Sequence, residues 1–142
     1  MQNTFQQISL YGRLLGASFY YEPSDSRIAG VLDFFRQPTW TEEWEIPLEE
    51  KACEKITALI NQGLTQDLTE QYQNLFIGPN ELLAPPWGSV YLDPECVIFG
   101  NSLLVLRDFL KSHQIAFQSQ HDEPEDHIGL MLMLAAYLAE TR

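Results

Sequence analysis

The chain has 142 residues, 45% of them apolar, which is the size and composition of one globular domain with its own core. Its 20 acidic and 8 basic residues give a formal net charge of −12, which disfavours nucleic acid and anionic membranes as partners and favours a cationic one. No stretch approaches the roughly 20 apolar residues that span a bilayer, and the N-terminus lacks a secretory pattern, so the sequence predicts a cytoplasmic protein without stable membrane insertion.

A first amphipathic helix is predicted over residues 5–21. Its apolar side chains recur in steps of three and four and define one face, and Pro23 ends the helix. The predicted face consists of Phe5, Ile8, Tyr11, Leu15 and Phe19.

A second helix follows, with Ser24 as its expected cap. Its apolar side chains are Ile28, Val31, Leu32 and Phe35. Trp40 and Trp44 come next, in a segment bounded by prolines. We expect these two rings to pack into the core rather than to contact a ligand, because aromatic residues are mostly packing material.

Two further helices are predicted between residues 47 and 77. Pro47 near its start and Gly63 at its end mark the third helix. Thr65 is the expected cap of the fourth, which Gly78 and Pro79 terminate. The inward side chains of the third helix are predicted to be Ala52, Ile56, Leu59 and Ile60. In the fourth helix, Leu68, Tyr72, Leu75 and Phe76 are predicted to share one face.

The segment 76–93 reads F-I-G-P-N-E-L-L-A-P-P-W-G-S-V-Y-L-D and is the most unusual stretch of the chain. Its prolines and glycines forbid a continuous helix, yet it is rich in large apolar side chains. A connection of this length in a compact domain is either disordered or functional, and a tryptophan between Pro-Pro and Gly-Ser argues against disorder. We predict an ordered, irregular binding loop that presents Trp87.

The C-terminal part is predicted to contain two more helices. Asn101 or Ser102 is the expected cap of the fifth, with Leu103, Leu106 and Phe109 or Leu110 buried. A surface hinge is predicted near residues 118–123, and Pro124 is expected to open the sixth helix. Residues 128–139 are apolar on all sides, which is typical of a helix at the centre of a bundle.

The acidic cluster H-D-E-P-E-D-H at residues 121–127 raises the question of a metal or acid–base site. His121 and His127 do not have the one-face spacing of a zinc helix, and the acids are explained by a helix N-terminus. We therefore predict no metal and no cofactor. Asp126 and His127 remain open as either a structural pair or a ligand contact.

No catalytic motif emerges from the sequence. Ser89 lies outside any G-x-S-x-G elbow, and no glycine-rich phosphate loop is present. Cys53 and Cys96 stand far apart without a C-x-x-C pair, which indicates reduced thiols. With no β-type alternation either, the residues by themselves predict an acidic, non-enzymatic, all-α binding module with an aromatic loop.

Four motifs carry a resemblance to a known family. They are Y-x-x-L-F-I-G-P at residues 72–79, A-P-P-W-G-S-V-Y-L-D at 84–93, F-G-N-S at 99–102 and E-P-E-D-H at 123–127. With these motifs the sequence resembles the TorD/DmsD family of redox-enzyme maturation chaperones, and most of all its DmsD branch. The likeness runs along essentially the whole chain.

The resemblance implies a single all-α domain that binds the twin-arginine signal peptide, or leader, of a molybdenum reductase. The reductase subunit is typically the catalytic subunit of dimethyl sulfoxide reductase, which is held until its cofactor is inserted and it is exported by the Tat pathway. The Tat translocase and cofactor-insertion proteins are further implied partners. Carried over onto this sequence, the leader-binding residues are Tyr72, Leu75, Phe76, Pro85, Pro86, Trp87, Gly88, Ser89, Gly100, Asp126 and His127.

The resemblance also implies a longer chain with further helices after residue 142. We therefore expect the bare faces of residues 128–139 to drive self-association. Two rival functions remain open. One is an assembly factor that grips the folded apo-reductase without reading a leader, and the other is a small hydrolase or nucleotide-binding protein built on the 121–127 cluster.

Overall fold

The computed structural model describes residues 1–118 and 122–141, and its regular structure is helical, as predicted. Residues 119–121 and 142 lie outside the described residues, and with them His121 and the centre of the predicted hinge. The helices are α1 (Gln2–Tyr20), α2 (Ala29–Arg36), α3 (Trp40–Glu43), α4 (Glu50–Leu64), α5 (Leu68–Tyr72), α6 (Gly88–Leu92), α7 (Asn101–Ser112) and α8 (Ile128–Thr141). A 3₁₀ turn at Ser26–Ile28 precedes α2, and a π-helical turn at Gln73–Ile77 extends α5.

Two compact units make up the chain. The first consists of Met1–Tyr20 and Ala84–Arg142, and the second of Tyr21–Leu83. Within the described ranges, no helix is long and apolar enough to cross a membrane.

Helices α1 and α8 form the centre of the first unit. They approach so closely that a Cβ at Gly16 would lie 2.8 Å from the Gly129 carbonyl oxygen. Near the other end of the contact, Arg13 donates two hydrogen bonds of 2.6 and 2.7 Å to the Glu140 carboxylate. Gly16 and Gly129 therefore allow the backbones of α1 and α8 to come into contact, which a residue with a Cβ at either position would prevent. The buried apolar side chains of this unit include Tyr11, Ala17, Leu103, Leu110, Leu130, Leu134, Ala136 and Ala139.

Aromatic packing holds the second unit. Trp40 is buried, its Nε1 donates to Thr57 Oγ1 at 3.2 Å, and its ring meets Phe35 and Trp44 edge-on at centroid distances of 5.7 and 6.0 Å. This confirms the predicted packing role of the two tryptophans.

Three predicted helix-capping residues are wrong. In each case the side chain of an aspartate accepts the hydrogen bond from the helix N-terminus instead. Asp25 accepts from Arg27 N where Ser24 was expected, and Asp67 accepts from two amides at the start of α5 where Thr65 was expected. At α7 the Ser102 amide donates to the carboxylate of Asp93, so neither Asn101 nor Ser102 supplies the cap. A carboxylate binds exposed helical amides more strongly than a hydroxyl does.

Several element boundaries also differ from the prediction. Helix α4 begins at Glu50 rather than near Pro47 and ends at Leu64 rather than at Gly63. Helix α8 begins at Ile128 rather than at Pro124. The loop 76–93 is not irregular throughout, because residues 88–92 form α6, whose first residue directly follows the tryptophan.

The predicted inward faces hold only in part. Ile8 in α1 is 39% exposed, because the contact of α1 with α8 is centred on the glycines rather than on the larger side chains. Leu59 in α4 is 56% exposed. In α8, Leu130 and Leu134 are buried, whereas Tyr137 and Leu138 stay partly exposed.

Candidate leader-binding site

The P-P-W-G-S segment and the start of α8 meet in the first unit. Gly88 N donates to the Asp126 carbonyl at 3.1 Å and Ile128 N to the Pro86 carbonyl at 2.8 Å. These two bonds form an isolated antiparallel bridge between Trp87 and His127. The pairing needs extended backbone at residues 126–127, which is why α8 does not begin until Ile128. The structure thus brings together two segments that lie about 40 residues apart in the sequence.

Asp126 is the polar centre of this junction. Its side chain is buried, and its Oδ2 accepts a 2.7 Å hydrogen bond from Ser89 N. Ser89 itself is fully buried at the start of α6. Neither the Ser89 Oγ nor the Asp126 Oδ1 has a hydrogen-bond partner within the described ranges, so both keep bonding capacity.

His127 is buried next to Asp126 and is held as a neutral ring. Its Nδ1 accepts a 3.0 Å hydrogen bond from Gly129 N, which places the proton of the neutral imidazole on Nε2. Burial lowers the pKa of His127 from the ordinary value, against the opposing charges of Glu123 and Asp126. The rings of Tyr20 and Trp87 contact it edge-on, with centroids at 5.5 and 6.2 Å.

Trp87 is fixed by a partner that sequence reasoning missed. Its indole Nε1 donates to Glu123 Oε1 at 2.5 Å, although the sequence had assigned Glu123 only to a helix N-terminus. The motif E-P-E-D-H contained this acid, but no spacing rule in the sequence pairs it with a tryptophan 36 residues away. The ring is therefore oriented by hydrogen bonding as well as by its contact with His127.

Gly100 lies at the N-cap position of α7, beside the buried Asp93 carboxylate. Asp93 Oδ1 accepts from Ser102 N at 2.9 Å, and its Oδ2 accepts from Ser102 Oγ at 2.7 Å. Asp93 is the second residue that the sequence prediction missed, and its position at the end of A-P-P-W-G-S-V-Y-L-D was the one available signal.

Of the remaining predicted residues, Pro85 belongs to the first unit, where its carbonyl accepts a 2.8 Å hydrogen bond from the Tyr91 hydroxyl. Tyr72, Leu75 and Phe76 belong to the second unit. The rings of Tyr72 and Phe76 lie 5.0 Å apart across the junction of α5 and the π-helical turn. Leu75 is 48% exposed, so its side chain is accessible to a partner. Gly78 ends this turn at a φ of 102°, a conformation that favours glycine. That these three side chains share one pocket with Trp87 stays a prediction.

Metal chemistry receives no support in the part of the chain that the structure describes. No group of three or more histidine, cysteine, aspartate and glutamate side chains there could hold a metal ion. His121, the other histidine of the cluster, lies outside the described residues.

Comparisons with known proteins agree with the motifs. A family model described as "Nitrate reductase delta subunit" matches residues 46–142. The chain is 76% identical over its full length to the "Probable Tat proofreading chaperone DmsD" of Haemophilus influenzae, of which it covers 70%. It is 43% identical over 128 residues to the "Tat proofreading chaperone DmsD" of Salmonella typhi, covering 90% of this chain and 62% of that protein.

A more distant relative shares most of the same region. The "Chaperone protein TorD" of a Shewanella species, strain ANA-3, is 28% identical over 138 residues, covering 92% of this chain and 66% of that protein. The chain thus spans between 62% and 70% of the length of these relatives.

Proposed function

We propose a leader-binding function for this chain, which belongs to the DmsD branch of the TorD/DmsD family of redox-enzyme maturation chaperones. The proposed ligand is the twin-arginine signal peptide of a molybdenum reductase of the dimethyl sulfoxide reductase type. The role is non-enzymatic: the chain binds the leader in the cytoplasm and supports maturation of the reductase before Tat export. The Tat translocase and cofactor-insertion proteins are proposed as further partners.

The single observation that carries the proposal is the polar cluster around Trp87. Asp126 and Glu123 place two carboxylates beside it, and neither carboxylate makes an ion pair within the described residues. The charge of Asp126 acts on Arg107, but that guanidinium is bound to Glu125. A buried carboxylate without a directly bound counter-charge favours a cation. Guanidinium groups match carboxylates geometrically and also stack on tryptophan rings. Two arginines are therefore the chemistry that this cluster fits best.

The apolar part of a leader requires apolar partners. Trp87 in the first unit and Leu75 and Phe76 in the second are the proposed ones. Burial of about four large side chains at roughly 1.5–3 kcal/mol each gives on the order of 6–12 kcal/mol, from which the cost of ordering the peptide is subtracted. Micromolar affinity follows, which is tight enough to shield a leader and weak enough to release it.

Calorimetric titration of the chain with the reductase leader tests the proposal. We expect micromolar binding that weakens with salt, because exposed charge pairs are screened. A second leader with both arginines replaced by glutamine is expected to bind at least tenfold more weakly. Equal affinity for the two leaders, or no binding of the native one, contradicts the proposal.

Trp87→Ala is the matching change in the protein. Removal of the ring and of its bond to Glu123 is expected to weaken leader binding by more than tenfold while the far-ultraviolet spectrum stays helical. Val105→Ala is the control, because it truncates an apolar side chain of the first unit that is exposed and lies outside the proposed site.

The rival function makes a different prediction in the same assay. An assembly factor that grips the folded apo-reductase would bind leaderless reductase as tightly as the complete one. In a pull-down at micromolar concentration, we expect the chain to capture the complete reductase and not the leaderless form. Equal capture of the two forms would favour the assembly-factor function.

A further inference from the structure

The short helix α6 connects the candidate site to Asp93. At its N-terminal end, Ser89 N donates to Asp126, and at its C-terminal end Asp93 N donates to the Ser89 carbonyl at 3.2 Å. A helix of five residues has too few internal hydrogen bonds to be stable by itself. The position of Trp87, which immediately precedes α6, therefore depends on how both ends of this helix are anchored.

Asp93 anchors the C-terminal end through its side chain. Its carboxylate is buried and binds both the amide and the hydroxyl of Ser102, in the first turn of α7. Its carbonyl also accepts from Cys96 N at 3.0 Å. One residue thus ends α6, begins the loop that follows and caps α7, although eight residues separate it from Ser102.

Gly100 is what allows the carboxylate to reach that position. A Cβ built on Gly100 would lie 2.5 Å from Asp93 Cγ and closer still to Oδ2, well inside van der Waals contact. The backbone of Gly100, at φ −71° and ψ −179°, is one that any residue adopts. Glycine is therefore required at this position for space and not for backbone conformation.

The loop between Asp93 and Gly100 contains two residues in an unfavourable backbone conformation. Cys96 and Phe99 both have a left-handed backbone conformation, with φ of 52° and 64°. Residues other than glycine rarely adopt this conformation. Such conformations persist where surrounding contacts impose them. Here the contacts of Asp93 at the start of the loop and with Ser102 just after its end are in a position to do so.

We infer that Asp93 is a positioning residue for the leader-binding segment 85–89, and that Gly100 serves it by leaving room for its carboxylate. This inference rests on the proposed function, and it changes the role expected of Gly100. The glycine does not need to touch the leader; it acts through Asp93, α6 and Trp87.

A double-mutant cycle tests the inference. Four proteins are titrated with the leader: the unsubstituted chain, Gly100→Ala, Asp93→Ala and the double variant. We expect each single substitution to weaken binding about tenfold. The double variant should bind no more weakly than Asp93→Ala, because the added methyl group has no carboxylate left to displace. Effects that multiply to about a hundredfold would overturn the inference, as would unchanged binding by Gly100→Ala.

Amide hydrogen exchange on the same proteins gives a readout that needs no leader. Gly100→Ala should speed exchange of the Ser102 amide as much as Asp93→Ala does, and should also speed exchange of the Ser89 amide. Asp93→Asn keeps one acceptor for Ser102 N, so partial protection is expected. A Ser102 amide that stays fully protected in Gly100→Ala contradicts the inference.

The two readouts separate this inference from the proposed function. If the unsubstituted chain binds no leader, the proposed function fails, while hydrogen exchange still decides whether Gly100 acts through Asp93. Gly30→Ala is the control, because a Cβ at Gly30 would meet nothing within 4 Å. Both leader affinity and exchange at Ser89 and Ser102 should be unchanged in it.

Discussion

The residues proposed to bind the leader are held in different ways in the two units. In the first unit, Trp87, Asp126 and His127 are held by hydrogen bonds to Glu123, Ser89 and Gly129. In the second unit, the corresponding segment is a π-helical turn on which Leu75 and Ile77 are about half exposed. The first arrangement is preorganised and polar, which suits recognition of charge. The second is apolar and accessible, which suits apolar segments of varying sequence.

The same contrast extends to backbone packing in each unit. Gly16 and Gly129 leave no room for a Cβ where α1 meets α8, whereas Gly30 of α2 has open space around its Cα. A tightly packed frame in the first unit would keep the polar cluster in place. Four substitutions, ordered from the largest expected effect to the smallest, can break or sharpen this comparison.

Gly16→Ala should have the largest effect on stability. The added Cβ would lie 2.8 Å from the Gly129 carbonyl oxygen and from Met133 Cγ, so the two helices must separate. We expect a loss of about 3 kcal/mol in the free energy of unfolding, at the upper end for overpacking. Urea unfolding followed by circular dichroism measures it.

Gly30→Ala is the matched control for that substitution. It should be neutral or stabilising by up to about 1 kcal/mol, because alanine lowers the entropy of the unfolded chain and favours the helix. An equal loss in the free energy of unfolding for Gly16→Ala and Gly30→Ala would show that the two glycines do not differ in packing as described.

Asp126→Ala tests the polar cluster. It leaves the buried Ser89 N–H without its acceptor, so we expect a loss of about 2 kcal/mol in the free energy of unfolding. Asp108→Ala, at an exposed position on α7, should change stability by less than about 0.5 kcal/mol. A stability of Asp126→Ala equal to that of its control would contradict the buried hydrogen bond.

His127 predicts a pH dependence of stability. Because burial lowers its folded-state pKa below the unfolded value of 6.5, the unfolded chain binds the proton more readily. The full stability is present above about pH 7 and declines as the pH falls through 6.5 toward the folded pKa, by at most about 1.4 kcal/mol per pH unit. Denaturation of the protein between pH 7.5 and 5.5 measures this slope.

Two comparisons assign that slope to His127. His127→Gln should remove it, whereas substitution of the exposed His113 by glutamine should not. The acids with strongly lowered pKa values, Asp25 and Glu140 at about 2, lose their contribution at lower pH and do not overlap with this window. A slope that survives in His127→Gln would show that other groups cause it.

Leu75→Ser should have the smallest effect on stability, less than about 0.5 kcal/mol, because the side chain is half exposed. Its effect on leader affinity should be clear, about fivefold or more, if the π-helical turn receives the apolar segment. Calorimetric titration compares the variant with the unsubstituted chain. Unchanged affinity would confine the binding surface to the first unit.

Local sequence patterns predicted the longer helices, but not the short helices α3 and α6 or the contacts that shape the site. The spacing of apolar residues predicted α1, α2, α4 and α7, and an unbroken apolar run predicted α8. The motif resemblance selected Trp87, Asp126 and His127. The bonds from Trp87 to Glu123 and from Ser102 to Asp93 depend on tertiary proximity, which no local periodicity encodes. Helix α6 escaped prediction because prolines and glycines surround it, and its ends are anchored by residues distant in the sequence.

The most direct test of the account observes the tryptophan indole groups during a leader titration. In a nitrogen-15-labelled protein, the Nε1–H signal of Trp87, bound to Glu123, should shift and saturate with the leader at micromolar concentration. The Nε1–H signal of Trp40, buried and bound to Thr57, should remain in place and serves as the internal reference. Saturation of binding with the Trp87 signal unmoved would contradict the proposed site.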